Sequence, residues 1–263
     1  VSNTGVVATD TAGVGTARQG STATEYGGDK GIFGYGENTK LNLTNLVTNT
    51  GVVGADVTGV GTARSNLAAC EYGGDKGIFG YGYTTANVSM TNLVSNTGVV
   101  ATDTTGVGLV RGYLAGCEYG DDLAIFGFGD PTPGTTTAVT NLVSNTGVVA
   151  TDTSGVGSAR NNLSAAAYGN DKGIFLGGST GSTVATTNLV SNTGVVATDV
   201  AGVGYPRVGA GGTEYGGDKG IWAYGTDASL QNMSNLVSNT GVVAADVTGV
   251  GTARKYLSAC AYN

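Results

Sequence analysis

Six aspartates and six arginines recur in this chain at a fixed spacing, and their side chains are the strongest candidates for chemistry. Each Arg follows an Asp by eight residues, across a Gly-Val-Gly connector. A guanidinium so placed can pair with the carboxylate, or it can join a ring of guanidinium groups at a channel mouth that captures an anion or acidic glycan. Because every copy carries the pair, we predict structural ion pairs that tie each unit to the next. The pairs are Asp10 with Arg18, Asp56 with Arg64, Asp103 with Arg111, Asp152 with Arg160, Asp199 with Arg207, and Asp246 with Arg254.

The rest of the sequence offers little to a catalytic mechanism. Histidine, the commonest general base, is absent from the 263 residues. No Ser stands at the strand-to-helix turn of a nucleophile elbow, and no Asp-rich calcium loop of the EF-hand type is present. The Gly-Val-Gly strings are not phosphate loops, because no helix follows them. We predict a non-enzymatic protein without cofactor or metal; a carboxylate pair for glycoside hydrolysis stays open, since the Asp positions are many.

The three cysteines occupy one position of the repeat. Cys70, Cys117 and Cys260 each follow the Arg of their copy by six residues, where other copies carry Thr or Ala. A position that accepts Cys, Thr or Ala is typical of a small buried side chain, whereas a disulfide framework needs an even count. We therefore predict free, buried thiols, which fit assembly in a reducing compartment.

Asp-Lys dipeptides follow a glycine-containing turn in four copies, at 29–30, 75–76, 171–172 and 218–219. Hairpin ends in solvent favour such residues, so we predict exposed turns. An exposed ion pair of this kind contributes at most about 1 kcal/mol to stability.

Five stretches differ between copies in length and content: 37–41, 83–89, 130–138, 178–184 and 226–231. Loops on a rigid scaffold often carry function. These are rich in Thr, Ser, Gly and Asn and lie beside tyrosines, so they could bind sugars at several shallow sites, with avidity. Loop drift without function is the simpler interpretation, and we favour it. The candidate ligand-facing residues are Tyr35, Asn38, Tyr81, Tyr83, Thr84, Asp130, Thr132, Ser179, Thr180, Tyr224 and Asp227.

The chain is a tandem repeat. Its Asn-Thr-Gly-Val-Val signature returns six times with a period of 46 to 49 residues. No segment keeps a 3.6-residue apolar period, and short runs bounded by Gly, Asn and Asp predict strands. In one copy we predict four of them, A at 66–72, B at 76–81, C at 90–95 and D at 99–103, with a turn at 73–75 between A and B.

Four short antiparallel strands per copy are typical of a β-propeller blade, for which roughly 40 to 50 residues are normal. We predict an all-β fold in one domain, 1–263: a β-propeller of about six four-stranded blades. Five blades are complete, and the sixth is split between a D strand at the N-terminus and an A strand at 257–262. A β-solenoid is the alternative. Since the sequence starts and stops inside a repeat, we expect a fragment of a longer chain.

The copies resemble kelch repeats in the order of their features. These are the Thr-Ala-Arg start at 62–64, the small-residue strand A at 67–72, the apolar pair at 78–79 and the Gly-Tyr-Gly at 80–82. The copies depart from kelch repeats in strands C and D, which lack the Tyr and Trp of that family. The Asn-Leu-Val-Ser-Asn-Thr-Gly-Val-Val core is also similar to repeats in predicted structural proteins of marine phages. The kelch resemblance implies a propeller scaffold but no particular reaction.

Composition excludes several partners. The net charge is −7, charged residues make up 12%, and the arginines are spread one per repeat, which argues against nucleic acid. No run of 18 apolar residues exists, which argues against membrane insertion.

We expect a structural and interaction module bound to other proteins of a larger assembly, a phage virion or its tail or fibre. The alternative is a lectin-like propeller, extracellular or at a cell surface, that binds glycans for adhesion.

Overall fold

The computed structural model describes residues 1–262, and all of their regular structure is β. Fifteen strands form five separate antiparallel sheets of three strands, with the second strand of each sheet in the centre. No helix in residues 1–262 is long and apolar enough to cross a membrane. The strands are β1 (Thr22–Tyr26), β2 (Lys30–Gly34), β3 (Thr44–Val47), β4 (Ala68–Tyr72), β5 (Lys76–Gly80), β6 (Thr91–Val94), β7 (Ala115–Tyr119), β8 (Leu123–Gly127), β9 (Thr140–Val143), β10 (Ser164–Tyr168), β11 (Lys172–Leu176), β12 (Thr187–Val190), β13 (Gly211–Tyr215), β14 (Lys219–Ala223) and β15 (Ser234–Val237).

A tight turn joins the first two strands of every sheet. In the first sheet Gly27 and Gly28 have φ of 66° and 75°, a conformation that glycine adopts without strain. The turn sets the register in which Tyr26 pairs with Lys30, and this register places Ile32 in the core with no exposed surface. The predicted A, B and C strands and the A–B turn are confirmed, within two residues at each end.

The predicted D strand does not form. The segment that follows β6 makes only isolated bridges, such as Val94 with Val100. The side-chain amide of Asn92, in β6, donates to the Ala101 carbonyl at 3.0 Å and to Asp103 Oδ1 at 2.9 Å. The Ala101 carbonyl is an acceptor that a strand ladder would use. Because the Asn92 side chain occupies it, the fourth strand is interrupted. The same Asn stands in the third strand of every sheet.

The predicted β-propeller of about six four-stranded blades is therefore wrong. The sheets number five, and each has three strands. They follow one another in a solenoid-like arrangement in which the first strand of each sheet packs beside the first strand of the next, closer to the alternative that we considered. We number the units 1 to 5 by their sheets, as residues 18–56, 64–103, 111–152, 160–199 and 207–246.

The two ends of the chain, 1–10 and 254–262, are called here the end segments. Neither contains a strand, in contrast to the split blade predicted for them, since no second strand lies beside 257–262 in the described residues. Both end segments nevertheless occupy the positions that the end and the start of a sixth unit would occupy. Tyr256 donates its N–H to the Gly209 carbonyl at 2.7 Å and accepts from Gly20 N–H at 3.2 Å, so the C-terminal end segment lies between units 5 and 1.

This contact belongs to a series of six backbone hydrogen bonds that returns to its starting point. In each unit the residue two positions after the Arg donates to its equivalent in the unit before, over N···O distances of 2.7 to 3.2 Å. All six residues have a positive φ, between 52° and 62°. They are Gly20, Asn66, Tyr113, Asn162, Gly209 and Tyr256.

Aromatic rings fill the space between neighbouring sheets. Tyr35 of unit 1 meets Phe79 of unit 2 edge to face, with ring centroids 5.2 Å apart. Unit 4 carries Gly177 where unit 1 carries Tyr35, and Trp222 of unit 5 fills the vacant space: a Cβ at Gly177 would lie 2.5 Å from Trp222 Cζ2. The core thus depends on matched pairs of side chains from successive units.

Candidate functional site

Four of the six repeated arginines are buried and not displayed at the surface. Arg64, for example, has no exposed surface. Its Nε donates to the Tyr81 carbonyl at 2.9 Å, its Nη2 donates to Asn92 Oδ1 at 2.7 Å, and its guanidinium carbon lies 4.3 Å from the centroid of the Tyr35 ring. Arg111, Arg160 and Arg207 are equally buried, and each lies over an aromatic ring. A guanidinium held in this way is not free to capture an anion from solution.

The ion-pair partner of five arginines differs from the predicted one, and within residues 1–262 Arg111 forms no ion pair. Arg64 lies 3.8 Å from Asp103, at the end of its own unit, and not beside Asp56, eight residues before it. Four of the pairs therefore join the start of a unit to its end, at Nη1···Oδ1 distances of 3.6 to 3.9 Å, which are too long for hydrogen bonds. The other observed pairs are Arg18 with Asp56 (3.7 Å), Arg160 with Asp199 (3.9 Å), Arg207 with Asp246 (3.6 Å) and Arg254 with Asp10 (2.8 Å).

Hydrogen bonds hold these carboxylates in place. Asp10 accepts from the Thr252 hydroxyl at 2.7 Å and from Arg254 Nη1 at 2.8 Å, and these two bonds lower its pKa to about 2. In unit 3, Asp152 accepts from Leu109 N–H and from the Asn141 amide. The two end segments are thus joined in the way that the start and end of each unit are joined.

The tyrosines proposed as a sugar platform are not accessible. Tyr35 and Tyr81 have no exposed surface and Tyr224 has 5%, since each ring lies under the guanidinium of the following Arg. All three have a positive φ, between 61° and 64°, which turns the side chain inward at the end of the second strand. The sequence showed the tyrosines beside the loops but not the direction of their rings.

Several other loop candidates bind the neighbouring unit. Asp130 is buried, and its two carboxylate oxygens accept from the Asn161 amide nitrogen at 2.8 and 2.9 Å. Asp227 is exposed and accepts from the Thr183 hydroxyl at 2.6 Å and from the Tyr205 hydroxyl at 3.1 Å. The rest do not converge on one pocket: Asn38, Thr132 and Thr180 are exposed, and Tyr83, Thr84 and Ser179 are half-buried. Only the loops that carry Asp130 and Asp227 are therefore shown to contact the neighbouring unit through these side chains.

The predictions for the cysteines and for the Asp-Lys turns are confirmed, except that Cys260 is only half-buried. Cys70 and Cys117 are free and buried, and Cys260 is free and half-buried. The Asp-Lys turns lie at the surface; the Asp75–Lys76 pair, at 2.5 Å, has more than a third of both side chains exposed. Within residues 1–262 no group of His, Cys, Asp or Glu side chains has the geometry to hold a metal ion.

Sequence reasoning missed four glutamates that line one cavity on the inner side of the sheets. Glu25, Glu71, Glu118 and Glu214 stand at the same place of the first strand, whereas unit 4 has Ala167. Burial, with repulsion between the carboxylates second, raises the pKa of Glu25 to about 8. Burial and the charge of Glu214 raise that of Glu71 to about 7. The sequence did carry a signal for these glutamates, because a Glu-Tyr dipeptide recurs in the strands of small residues.

This cavity is too small for most ligands. It continues into a second cavity lined by the first-strand starts of all five units and by the C-terminal end segment. Their volumes are about 70 and 120 Å³. Sites for small molecules typically measure roughly 300 to 1,000 Å³. We therefore assign the glutamates to the energetics of the fold rather than to a binding site.

The surface carries one exposed valine at the same place of every repeat. Ser95 N–H donates to the Val99 carbonyl at 2.9 Å, and Val99 N–H donates to Ser95 Oγ at 3.1 Å, so the turn uses only the backbone of the valine. Its side chain points to solvent, with an exposed fraction of 60 to 64% in all six copies. The six residues are Val6, Val52, Val99, Val148, Val195 and Val242.

No protein-family model matches the chain, and no curated protein matches it at a significant level. The resemblances to kelch repeats and to phage repeats therefore rest on the sequence motifs alone.

Proposed function

We propose that this chain is a non-enzymatic structural and interaction module of a larger assembly, and that the six exposed valines are its contact surface. The invariance of these valines within the chain is the observation that carries the proposal. Single exposed apolar residues need no explanation. Here one is kept in six copies out of six, at a place where the turn requires no apolar side chain.

A position five residues further along shows what happens without such a constraint. It is also exposed, and the copies carry either valine, as at Val57, or threonine, as at Thr104. Drift is therefore tolerated beside the invariant valine but not at it. Contact with a partner would explain the difference, because burying a valine side chain contributes about 1.5 kcal/mol or more.

The buried polar groups fit a scaffold as well. Arg64 and its three buried equivalents, with the carboxylates near them, are occupied by contacts inside the units. The class of assembly that we propose is a phage particle, for which the similarity of the repeats is the support. Tyr35, Tyr81 and Tyr224 are inaccessible, which leaves the glycan-binding alternative without the aromatic platform on which it relied.

Two matched variants test the proposal. The first replaces Val52, Val195 and Val242 with Thr; the control replaces Val57, Val200 and Val247, in the same three units, with the Thr that other copies carry there. Each purified variant is mixed with particles from the natural source and sedimented. We expect the first variant to lose at least tenfold in bound fraction and the control to bind within twofold of the original chain. Equal binding by both variants would refute the contact surface.

A further inference from the structure

The chain contains one Asp-Pro peptide bond, between Asp130 and Pro131 in the loop after β8. The backbone carbonyl of Asp130 accepts the N–H of Gly112 at 3.0 Å, and the equivalent carbonyls of the other four units accept the equivalent N–H. Within residues 1–262, only the Asp130 carbonyl among these five also accepts from a side chain, Nδ2 of Asn87 in the unit before, at 2.7 Å. A contact that breaks the symmetry of the repeat is a better candidate for specific chemistry than one that every copy shares.

The two donors on the Asp130 carbonyl have the arrangement of an oxyanion hole. Such donors, at about 2.7 to 3.1 Å, stabilise the negative charge that develops on a carbonyl oxygen when a nucleophile adds to its carbon. The surrounding fold holds both donors, since Gly112 is buried and Asn87 is half-buried. Asn87 Nδ2 also donates to the Pro131 carbonyl at 3.1 Å, so one amide group spans the Asp-Pro bond.

The carboxyl group of Asp130 supplies a nucleophile beside this carbonyl, because both belong to one residue. Its two oxygens accept from Asn161 Nδ2, which fixes the orientation of the carboxyl, and the residue is only 7% exposed. Within residues 1–262 no Lys or Arg forms an ion pair with it. Burial raises the pKa of Asp130, against the opposing effect of the Asn161 hydrogen bond, and so favours the neutral acid.

Proline suits the leaving group of such a reaction. Its nitrogen carries no hydrogen and takes no part in the backbone hydrogen bonds of the loop. The nitrogen can therefore receive a proton from the neutral carboxyl of Asp130. An attack within one residue also needs no encounter between separate reactants, which lowers the barrier.

We propose that the folded chain cleaves itself between Asp130 and Pro131. A carboxyl oxygen of Asp130 bonds to the carbonyl carbon of the same residue, while Gly112 N–H and Asn87 Nδ2 hold the oxyanion. The carboxyl proton passes to the Pro131 nitrogen, the C–N bond breaks with its electron pair on nitrogen, and a cyclic anhydride remains on Asp130. Water then adds to the anhydride and leaves two carboxyl groups on Asp130. The reaction consumes one water molecule and changes no oxidation state.

The cut chain should keep its fold. The strands β8 and β9 lie on opposite sides of the cut and pair from Ala124 with Val143 to Gly127 with Thr140. The two fragments should therefore separate only under denaturing conditions. This single event on the chain's own backbone goes beyond the proposed function and does not rest on it.

Intact-mass spectrometry of the purified full chain at pH 5 tests the proposal. We expect two fragments that divide between residues 130 and 131, with the mass of one water added in total. The same chain unfolded in urea at pH 5 measures the reactivity of the bond without the fold. The folded chain should be cleaved at least tenfold faster, because the oxyanion hole exists only in the fold. Asp130→Asn should be cleaved at least tenfold more slowly than the original folded chain.

A pair of matched variants tests the role of Asn87. Asn87→Leu removes one donor, and unit 5 carries Leu230 at the same loop position, so the loop accepts this side chain. We expect cleavage to slow at least tenfold. The control is Lys40→Leu, at the same position of unit 1, where the side chain lies over the Tyr83 ring and not beside an Asp-Pro bond. The control should be cleaved within twofold of the original rate.

Three results would overturn the proposal. They are an uncleaved folded chain, equal cleavage rates for the folded and the urea-unfolded chain, and an Asn87→Leu chain that is cleaved at the original rate. The second result would show the ordinary acid lability of an Asp-Pro bond and no contribution from the fold. None of these outcomes depends on the exposed valines, so they leave the proposed function untouched.

Discussion

Replacing Glu71 by Gln should stabilise the protein at alkaline pH and have little effect in acid. Glu71 is one of four carboxyls around the inner cavity, and burial, followed by the charges of Glu214 and Asp75, raises its pKa from 4.5 to about 7. The folded state therefore favours the protonated carboxyl. The contribution of Glu71 to the free energy of unfolding is complete below pH 4.5 and is lost as the pH rises through 7.

The size of this loss follows from the pKa difference. One pKa unit corresponds to about 1.4 kcal/mol, so raising the pKa from 4.5 to about 7 corresponds to about 3 kcal/mol of unfolding free energy. Glutamine keeps the shape of the neutral acid and cannot ionise. Glu71→Gln should thus match the original chain within about 0.5 kcal/mol at pH 4.5 and exceed it by about 3 kcal/mol at pH 9.

Urea unfolding at pH 4.5, 6, 7.5 and 9, followed by the fluorescence of the single Trp, Trp222, measures the difference. Unit 4 provides the reverse control, because it has Ala167 at the equivalent place. Ala167→Glu should be less stable than Ala167→Gln at pH 9 and equal to it at pH 4.5. Parallel stability curves for Glu71→Gln and the original chain across this pH range would refute the reasoning.

Further predictions concern the packing between units and are all measured by urea unfolding at pH 7. Arg64→Ala should cost about 3 to 5 kcal/mol because the Tyr81 carbonyl and the Asn92 amide oxygen lose their buried donor, whereas exposed Arg254→Ala should cost about 1 kcal/mol; equal costs would contradict the assigned burial. Gly177→Tyr should be destabilising by about 2 kcal/mol or more through its clash with Trp222. Trp222→Phe should relieve that clash, so a double-mutant cycle should give a favourable coupling of about 2 kcal/mol, and additive effects would show that the two side chains do not share one space. Cys70→Thr should cost less than about 1.5 kcal/mol, because Thr24 already occupies this place in unit 1, and a larger loss would show that the position is not interchangeable.

Local patterns in the sequence predicted the strands and turns, because each depends on residues close in the chain. The turn at Gly27 and Gly28 and the buried pair Ile78 and Phe79 are of this kind. The fourth strand was predicted wrongly because its apolar run looks like a strand. The side chain of Asn92, nine residues before Ala101, interrupts the strand ladder by bonding to the Ala101 carbonyl. The strand propensity of the residues does not reveal such a side-chain hydrogen bond.

The candidate site was harder to predict because its partners are distant in the chain. The eight-residue spacing suggested Asp56 as the partner of Arg64, yet the carboxylate of Asp103, 39 residues later, lies beside it. The spacing could not show that a unit begins with its Arg and ends with its Asp. Nor could it show that a positive φ turns Tyr35 into the core, where the next unit covers it.

The central claim is that this protein is a structural component of a larger assembly. Its most direct test is density-gradient sedimentation of material from the natural source, with the polypeptide followed by peptide mass spectrometry. We predict that the chain sediments with large particles, at the density of a virion, and stays with them after a second gradient. A chain found only among slowly sedimenting proteins would contradict the claim.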